Sequence, residues 1–147
     1  MERERKFLVD RLPDDLGPAT RLRQGYLAID RDVEVRLRDA GGERTLAVKQ
    51  GGGRDRTEIE LPLDADAFAE LWPLTEDRRI EKDRHRVDLG DGLTAEVDRY
   101  VDRSLVVVEV EFDDRDPDAW QPPDWFGQEV TGDHRYANAT LAAEGGP

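Results

Sequence analysis

The chain has 147 residues, which suits one domain with a hydrophobic core of its own. With no cysteine and two histidines, it excludes a disulfide scaffold, a thiolate zinc site and a multi-histidine site, so a bound metal is expected to have oxygen ligands. A net charge of −13 argues against nucleic-acid and anionic-membrane partners, and the lack of a membrane-spanning apolar run or signal-peptide pattern predicts a soluble, cytoplasmic protein.

The first half of the chain alternates between apolar and charged residues, a pattern typical of half-buried strands. Strands are predicted over residues 1–9, 21–29, 33–38, 45–49 and 57–61, with turns at 12–18, 40–42 and 50–54. The period then changes to that of a helix. Asp64 is predicted to cap a helix over 65–72, which carries Phe68, Leu71 and Trp72 on one side.

The second half returns to strands at 79–89, 93–100 and 105–112, followed by a Pro- and Asp-rich loop at 113–123. A last short helix is predicted over 135–142, before a frayed tail at 143–147. No domain boundary is visible, so residues 1–147 are predicted to form a single domain. Eight strands at hairpin spacing predict an α+β protein, mainly antiparallel β, built as a barrel or sandwich.

Each predicted strand has one apolar and one charged face, because alternate side chains of a strand point the same way. An ordinary solvated face mixes the two signs of charge, whereas here like charges recur two residues apart. The acidic pairs are Glu2/Glu4, Glu58/Glu60, Glu96/Asp98 and Glu109/Glu111, and the basic sets are Arg36/Arg38 and Lys82/Arg84/Arg86. The alternative for the first pair is a solvated edge strand, whose charges prevent aggregation.

Segregated charge makes sense if a ligand separates the two signs. Basic side chains would bind a polyphosphate, and carboxylates would hold its divalent metal. If the sheet closes into a barrel, the charged faces would line a polar tunnel. The apolar faces would then be covered by the two helices.

The ordered set of motifs resembles the CYTH domain, or triphosphate tunnel metalloenzyme, family, and most closely its short single-domain bacterial members. The matching pieces are Glu2-Arg3-Glu4-Arg5-Lys6, Gln24-Gly25-Tyr26-Leu27, Val35-Arg36-Leu37-Arg38, Leu46-Ala47-Val48-Lys49, Glu58-Ile59-Glu60, Lys82-Asp83-Arg84, Glu96-Val97-Asp98, Glu109-Val110-Glu111 and the run from Glu129 to Asn138. They extend over essentially the whole chain. Two departures, Ala95 in place of an aromatic residue and His134 in place of a proline or basic residue, bear on substrate detail.

The resemblance implies an eight-stranded closed antiparallel barrel, with a few peripheral helices, that hydrolyses a linear triphosphate with Mg²⁺ or Mn²⁺. Inorganic triphosphate is the expected substrate. By resemblance the metal-facing residues are Glu2, Glu4, Glu58, Glu60, Glu109 and Glu111, the substrate-binding residues are Arg36, Arg38, Lys49, Lys82 and Arg84, and the catalytic residues are Lys6, Tyr26 and Lys82.

Several alternatives stay open at the level of sequence. A class IV-type adenylate cyclase, a thiamine or nucleoside triphosphatase and a non-catalytic polyphosphate-binding module would share these features. Tyr26 can equally be a packing residue, and Asp133 can equally cap the last helix. The expected partner is a small-molecule triphosphate, with no nucleic acid or membrane, and the chain is expected to be a monomer or a homodimer.

Overall fold

The structure, a computed structural model, describes residues 3–51 and 57–144. Its strands are β1 (Glu4–Leu8), β2 (Ala19–Ile29), β3 (Val33–Ala40), β4 (Glu43–Gln50), β5 (Thr57–Pro62), β6 (Arg79–Gly90), β7 (Leu93–Tyr100) and β8 (Val106–Glu111). The helices are α1 (Ala65–Leu71) and α2 (Asn138–Glu144), with 3₁₀ turns at Trp72–Thr75, Pro117–Ala119 and His134–Tyr136. The prediction of a mainly antiparallel sheet of eight strands with a few short helices is confirmed.

The predicted closure of the sheet into a barrel is wrong for the described residues. The hydrogen-bonded order is β1-β8-β7-β6-β2-β3-β4-β5, which leaves β1 and β5 at its two ends. The outer edge of β1 is already occupied, because the Leu8 N–H donates to the Gln128 carbonyl (2.8 Å) and the Val130 N–H donates to the Lys6 carbonyl (2.8 Å). A strand whose second edge is paired in this way has no free edge to offer another strand.

The chain divides into two compact units. The first unit comprises Met1–Thr20 and Lys82–Asp133, and the second comprises Arg21–Glu81 and His134–Pro147. The prediction of one domain over 1–147 is not tested by this division and stays a prediction.

The apolar core of the first unit lies on one face of β1, β6, β7 and β8. Its buried residues are Phe7, Val9, Leu93, Ala95, Val97, Val108, Val110, Phe112 and Phe126. An aromatic loop covers this face, with Phe126 5.0 Å from Phe7 and Trp120 5.4 Å from Phe112 between ring centroids. We expected helices to cover the apolar faces, but within the described part of this unit the aromatic side chains after β8 do so.

In the second unit, the predicted capping of the first helix is confirmed, because the Asp64 carboxylate accepts a hydrogen bond from the Ala67 N–H (2.7 Å). Phe68 stacks on Trp72 with 5.2 Å between the ring centroids. The second helix begins at Asn138, three residues later than predicted, because His134–Tyr136 forms a 3₁₀ turn. Neither seven-residue helix is long enough to span a membrane, and no other helix of the described residues is long and apolar enough to do so.

Candidate active site

The first unit gathers most of the predicted charged residues on the face opposite its apolar core. In the antiparallel register, Glu4 lies opposite Glu111, and Glu109 lies between Lys6 on β1 and Glu96 on β7. The shared face carries Glu4, Lys6, Lys82, Arg84, Arg86, Glu96, Asp98, Glu109 and Glu111. The prediction that alternate residues of these strands share one face is therefore confirmed within this unit.

Three of the predicted metal-facing carboxylates, Glu4, Glu109 and Glu111, converge at one end of this face. Several effects raise the pKa of Glu4 to about 7. The largest is desolvation of its carboxylate, and the next is repulsion from Glu109. The Lys6 ammonium lies 3.4 Å from the Glu109 carboxylate and offsets part of this negative charge. Such a set of crowded oxygen acceptors is chemically suited to a hard divalent cation.

These carboxylates have the chemistry of metal ligands but not the spacing. No group of three or more Asp, Glu or His side chains within residues 3–51 and 57–144 is arranged closely enough to hold a metal ion. The donor type fits Mg²⁺ or Mn²⁺, whereas a finished ligand cage is not formed by the described residues. Glu2, the first residue of the predicted acidic pair, lies outside the described residues.

Lys82, Asp98 and Arg84 form a buried ionic cluster at the other end of the same face. The Lys82 ammonium is 2.8 Å from Asp98, and Arg84 donates two hydrogen bonds to that carboxylate, at 2.8 and 3.0 Å. Burial lowers the pKa of Lys82 to about 8 against the attraction of Asp98. Burial acts to raise the pKa of Asp98, but the charges of Lys82 and Arg84 outweigh it and hold that pKa well below its usual range.

A polar cavity of about 360 Å³ opens at the turn end of this face in the first unit. It is lined by Arg86, Gly92, Thr94, Glu96, Glu111 and Asp113. Since Glu96 and Glu111 belong to the shared polar face, the cavity is an extension of that face and not a separate site.

The second unit carries the remaining predicted residues on one face of β2 to β5. Tyr26 lies opposite Arg36, Gln24 opposite Arg38, and Lys49 between Glu34 and Glu58 in the register. Glu58 and Glu60 are exposed and lie beside Arg36, at 3.4 and 3.9 Å. The predicted metal-facing set is thus divided, with these two glutamates in the second unit and Glu4, Glu109 and Glu111 in the first.

Arg36 has a donor that no described residue satisfies. The residue is 4% exposed, and its Nε–H is buried without a hydrogen-bond partner within the described part of the chain. A buried donor left unpaired costs free energy comparable to a lost hydrogen bond. The site therefore suits a ligand oxygen, such as that of a phosphate.

Gln24 is a site residue whose role the sequence did not reveal. It is fully buried, its amide donates to the Tyr26 hydroxyl (3.2 Å), and its carbonyl oxygen accepts from the Arg38 Nε–H (2.9 Å). Burial of the ring also raises the pKa of Tyr26. The signal in the sequence was its spacing, because a glutamine two residues before Tyr26 on the same strand must share its face.

The histidines lie away from these contacts. His85 faces away from Lys82 and Arg84 on β6, and its ring Nδ1 is 3.1 Å from the Gly17 carbonyl oxygen. The His134 ring is 3.2 Å from the Thr140 hydroxyl at its nearer nitrogen.

In chemical terms, the arginines of these faces suit a phosphate anion, and the carboxylates suit a divalent cation. No family model matches the chain. A curated relative from Nitrosomonas europaea named inorganic triphosphatase is 47% identical over 145 residues, covering 96% of each chain. Another from Acetivibrio thermocellus with the same name is 37% identical over 146 residues, covering 95% of this chain and 92% of the relative.

A solved crystal structure of an inorganic triphosphatase agrees with these relatives. It superposes with a TM-score of 0.76 and 44% identity, and the match covers 97% of this chain and 95% of that one. At such identity over nearly the full length, the chain belongs to the family of these inorganic triphosphatases.

Proposed function

We propose that this protein is an acid anhydride hydrolase that cleaves inorganic triphosphate to diphosphate and phosphate. The observation that carries the proposal is the 47% identity, over 96% of the chain, to a protein named inorganic triphosphatase. The arrangement of charge supports it independently, because transfer of a phosphoryl group depends mainly on positioning and on neutralising charge.

Arginines, together with Lys49, are the proposed substrate ligands. Arg36 contributes an unpaired buried N–H, and Arg38 is held in place by Gln24. Planar guanidinium groups form paired hydrogen bonds with phosphate oxygens, which a lysine cannot do. Lys49 on β4 and Arg84 on β6 complete the proposed set, while Lys82 contributes its charge from a fully buried position.

Mg²⁺ or Mn²⁺ is the proposed cofactor, since the acidic residues provide only oxygen ligands. We propose Glu4, Glu109 and Glu111 as its ligands in the first unit, which requires these side chains to move closer together than they lie in the structure. The resemblance implies the same role for Glu2, Glu58 and Glu60. When bound, such a cation neutralises the charge that develops on the phosphate oxygens. Lys6 and Tyr26 are proposed to orient the attacking water, and the salt bridge with Glu109 fixes the position of Lys6.

The finer family assignment is also a proposal. We place the chain among the short single-domain bacterial CYTH proteins. The physiological setting proposed is the cytoplasm, with a small-molecule triphosphate as partner, no nucleic acid or membrane, and a monomeric or homodimeric state.

The test is release of phosphate from inorganic triphosphate, ATP and thiamine triphosphate in parallel, each with Mg²⁺, Mn²⁺ or EDTA. The inactive variant is Glu109→Gln/Glu111→Gln, and the matched control is Glu43→Gln/Glu70→Gln, which removes the same charge from exposed positions. Release fastest from inorganic triphosphate, lost in EDTA and in the first variant only, is the expected result. Fastest release from an organic substrate would overturn the specificity, and tight binding without turnover would favour a polyphosphate-binding module.

A further inference from the structure

Charged side chains on β6 and β7 form a ladder in which the sign alternates at every step. Lys82 contacts Asp98 (2.8 Å), Asp98 contacts Arg84 (2.8 Å), Arg84 contacts Glu96 (3.3 Å), and Glu96 contacts Arg86 (3.3 Å). The register explains the pattern, since Arg84 lies opposite Asp98 and Arg86 opposite Glu96. Asp98 and Glu96 therefore each lie between two cations. The first three groups of the ladder are each held in place by the charged group beside them.

The inner end of this ladder is closed to solvent. Lys82 is 0% exposed and Asp98 is 1% exposed, while the exposed fraction of a side chain rises to 13% at Arg84 and 72% at Arg86. The Lys82 ammonium lies over the Tyr100 ring at 5.5 Å from its centroid, in addition to its contact with Asp98. In this arrangement the ammonium is enclosed by protein groups and has no exposed surface to offer a phosphate.

Arg84 differs from Lys82 in its donors, because a guanidinium has five N–H groups in a fixed planar geometry. Asp98 accepts from Nε and from one Nη, and Glu96 accepts from the other Nη. Three of the five donors are thus used among the described residues, which leaves two. The side chain is 13% exposed. The Asp98 carboxylate fixes the plane in which those two donors point.

We infer that Asp98 is a positioning residue for the proposed triphosphatase reaction, aligning Arg84 with the phosphate chain, and that Lys82 acts through Asp98 instead of contacting substrate. This inference rests on the proposed function and deepens it at one site. Without Lys82, a single guanidinium would have to hold the buried carboxylate alone. Without Asp98, two neighbouring cations would repel each other and Arg84 would lose its fixed plane.

A double-mutant cycle on kcat/KM for inorganic triphosphate tests this arrangement. Asp98→Asn and Lys82→Met are each expected to lower kcat/KM at least about tenfold, with KM rising, because Arg84 is misaligned in both. The kcat/KM of the double variant is expected to lie within about twofold of that of the less active single variant, because both changes remove the same support for Arg84. Multiplied losses, on the order of a hundredfold, would show that Lys82 contributes directly and would overturn the inference. Full activity of Asp98→Asn would also overturn it.

The matched control is Asp102→Asn, which removes a carboxylate of the same type from an exposed surface pair with Arg103. It should retain the kcat/KM of the unaltered protein. Circular dichroism at the assay temperature identifies any variant that fails to fold, and a measurement on the unaltered protein then decides the matter.

That measurement is the nitrogen–proton NMR spectrum of the lysine and arginine side chains during titration with inorganic triphosphate in EDTA. We expect the Arg84 guanidinium signals to shift on binding and the Lys82 signal to stay in place. A larger shift at Lys82 than at Arg84 would overturn the inference. Absence of turnover with this pattern of shifts would refute the proposed hydrolysis while retaining the binding arrangement.

Discussion

Arg36 is the residue whose surroundings most directly indicate a ligand-binding position. It is paired weakly with Glu58 and Glu60, at 3.4 and 3.9 Å, and its Nε–H has no partner in the described part of the chain. Charge-assisted hydrogen bonds from arginine to phosphate are about twice as strong as neutral ones. A phosphate oxygen at this position would therefore remove an unfavourable buried donor and gain a strong contact at once.

We predict that Arg36→Met raises the KM for inorganic triphosphate at least about tenfold with a smaller change in kcat. Arg36→Lys should fall between, because it keeps the charge but loses the planar pair of donors. Steady-state kinetics with Mg²⁺ checks both, beside Arg31→Met at an exposed turn position as control. An unchanged KM in Arg36→Met would mean that the buried Nε–H does not bind substrate.

Asp98 gives a prediction for stability against pH. Its folded pKa lies below the ordinary value of 3.8, so the folded chain releases a proton that the unfolded chain retains in acid. The resulting stability is complete above the unfolded value and is lost as the pH falls below about 4. Removing one partner of a buried ion pair costs about 3–5 kcal/mol, so the melting temperature of Asp98→Asn should be lower at pH 7 by about 10 °C.

The comparison is made by thermal unfolding of both proteins from about pH 7 to pH 2. The difference in melting temperature between Asp98→Asn and the unaltered protein should narrow as the pH falls below about 4. Asp102→Asn, whose carboxylate is half exposed, should show little difference throughout. A gap between Asp98→Asn and the unaltered protein that stays constant to pH 2 would contradict the ionic origin of the effect.

At the residue scale the sequence predicted which side chains share a face but not how tightly each is held. Spacing by two along a strand placed Glu109 and Glu111 together, because strand geometry alone fixes that result. The burial of Lys82 and the bridging position of Asp98 depend on register between β6 and β7, which a single strand does not specify. The contact of Gln24 with Arg38 was beyond prediction for the same kind of reason, because it depends on the register between β2 and β3.

At the scale of elements, the two ends of the strand order show what local pattern leaves undetermined. Alternation identified all eight strands, yet the pairing of β1 with the segment around Glu129 depends on contacts more than 100 residues apart along the chain, such as that between Arg5 and Glu129. Because that segment occupies the outer edge of β1, the expected closure of the sheet did not follow. The aromatic cover of the first core was missed because Trp120 and Phe126 lie in a loop with no periodic signal.

β5 leads to a prediction about aggregation. It pairs with β4 and lies at one end of the strand order, while Ile59 and Leu61 on its outer face are 55% and 54% exposed. An exposed edge strand with apolar side chains is a template for pairing with other chains, and lysine at such positions prevents it. We predict that Ile59→Lys/Leu61→Lys raises the temperature at which aggregation begins, as measured by light scattering.

The same variant should retain its free energy of unfolding within about 0.5 kcal/mol, because exposed substitutions outside packed contacts have small effects. Leu74→Lys/Val101→Lys, at apolar residues that are 61% and 48% exposed but lie outside the strands, is the matched control, because it changes the charge by the same amount. If the control delayed aggregation equally, net charge and not the edge of β5 would be responsible.

At the scale of the whole molecule, the charge of −13 opposes the proposed substrate, which is itself a polyanion. The local arginines must therefore act against a repulsive field that extends over roughly the Debye length, which is about 30 Å at 0.01 M salt and about 8 Å at 0.15 M. A cationic enzyme would associate with triphosphate faster at low salt. Here the long-range effect has the opposite sign, since the field slows the approach of the anion before any contact is made.

We predict that kcat/KM for inorganic triphosphate rises about two- to threefold as salt increases from about 10 to 100 mM at constant free Mg²⁺. Glu70→Gln/Glu76→Gln, which removes two exposed charges, should raise kcat/KM at low salt and have no effect at about 0.2 M, where screening has already abolished the repulsion. A steady fall in kcat/KM with salt, equal in both proteins, would show that short-range attraction by the arginines controls association throughout. The charged residues of the polar faces alone would then determine the rate of association, and the net charge would have no measurable effect on it.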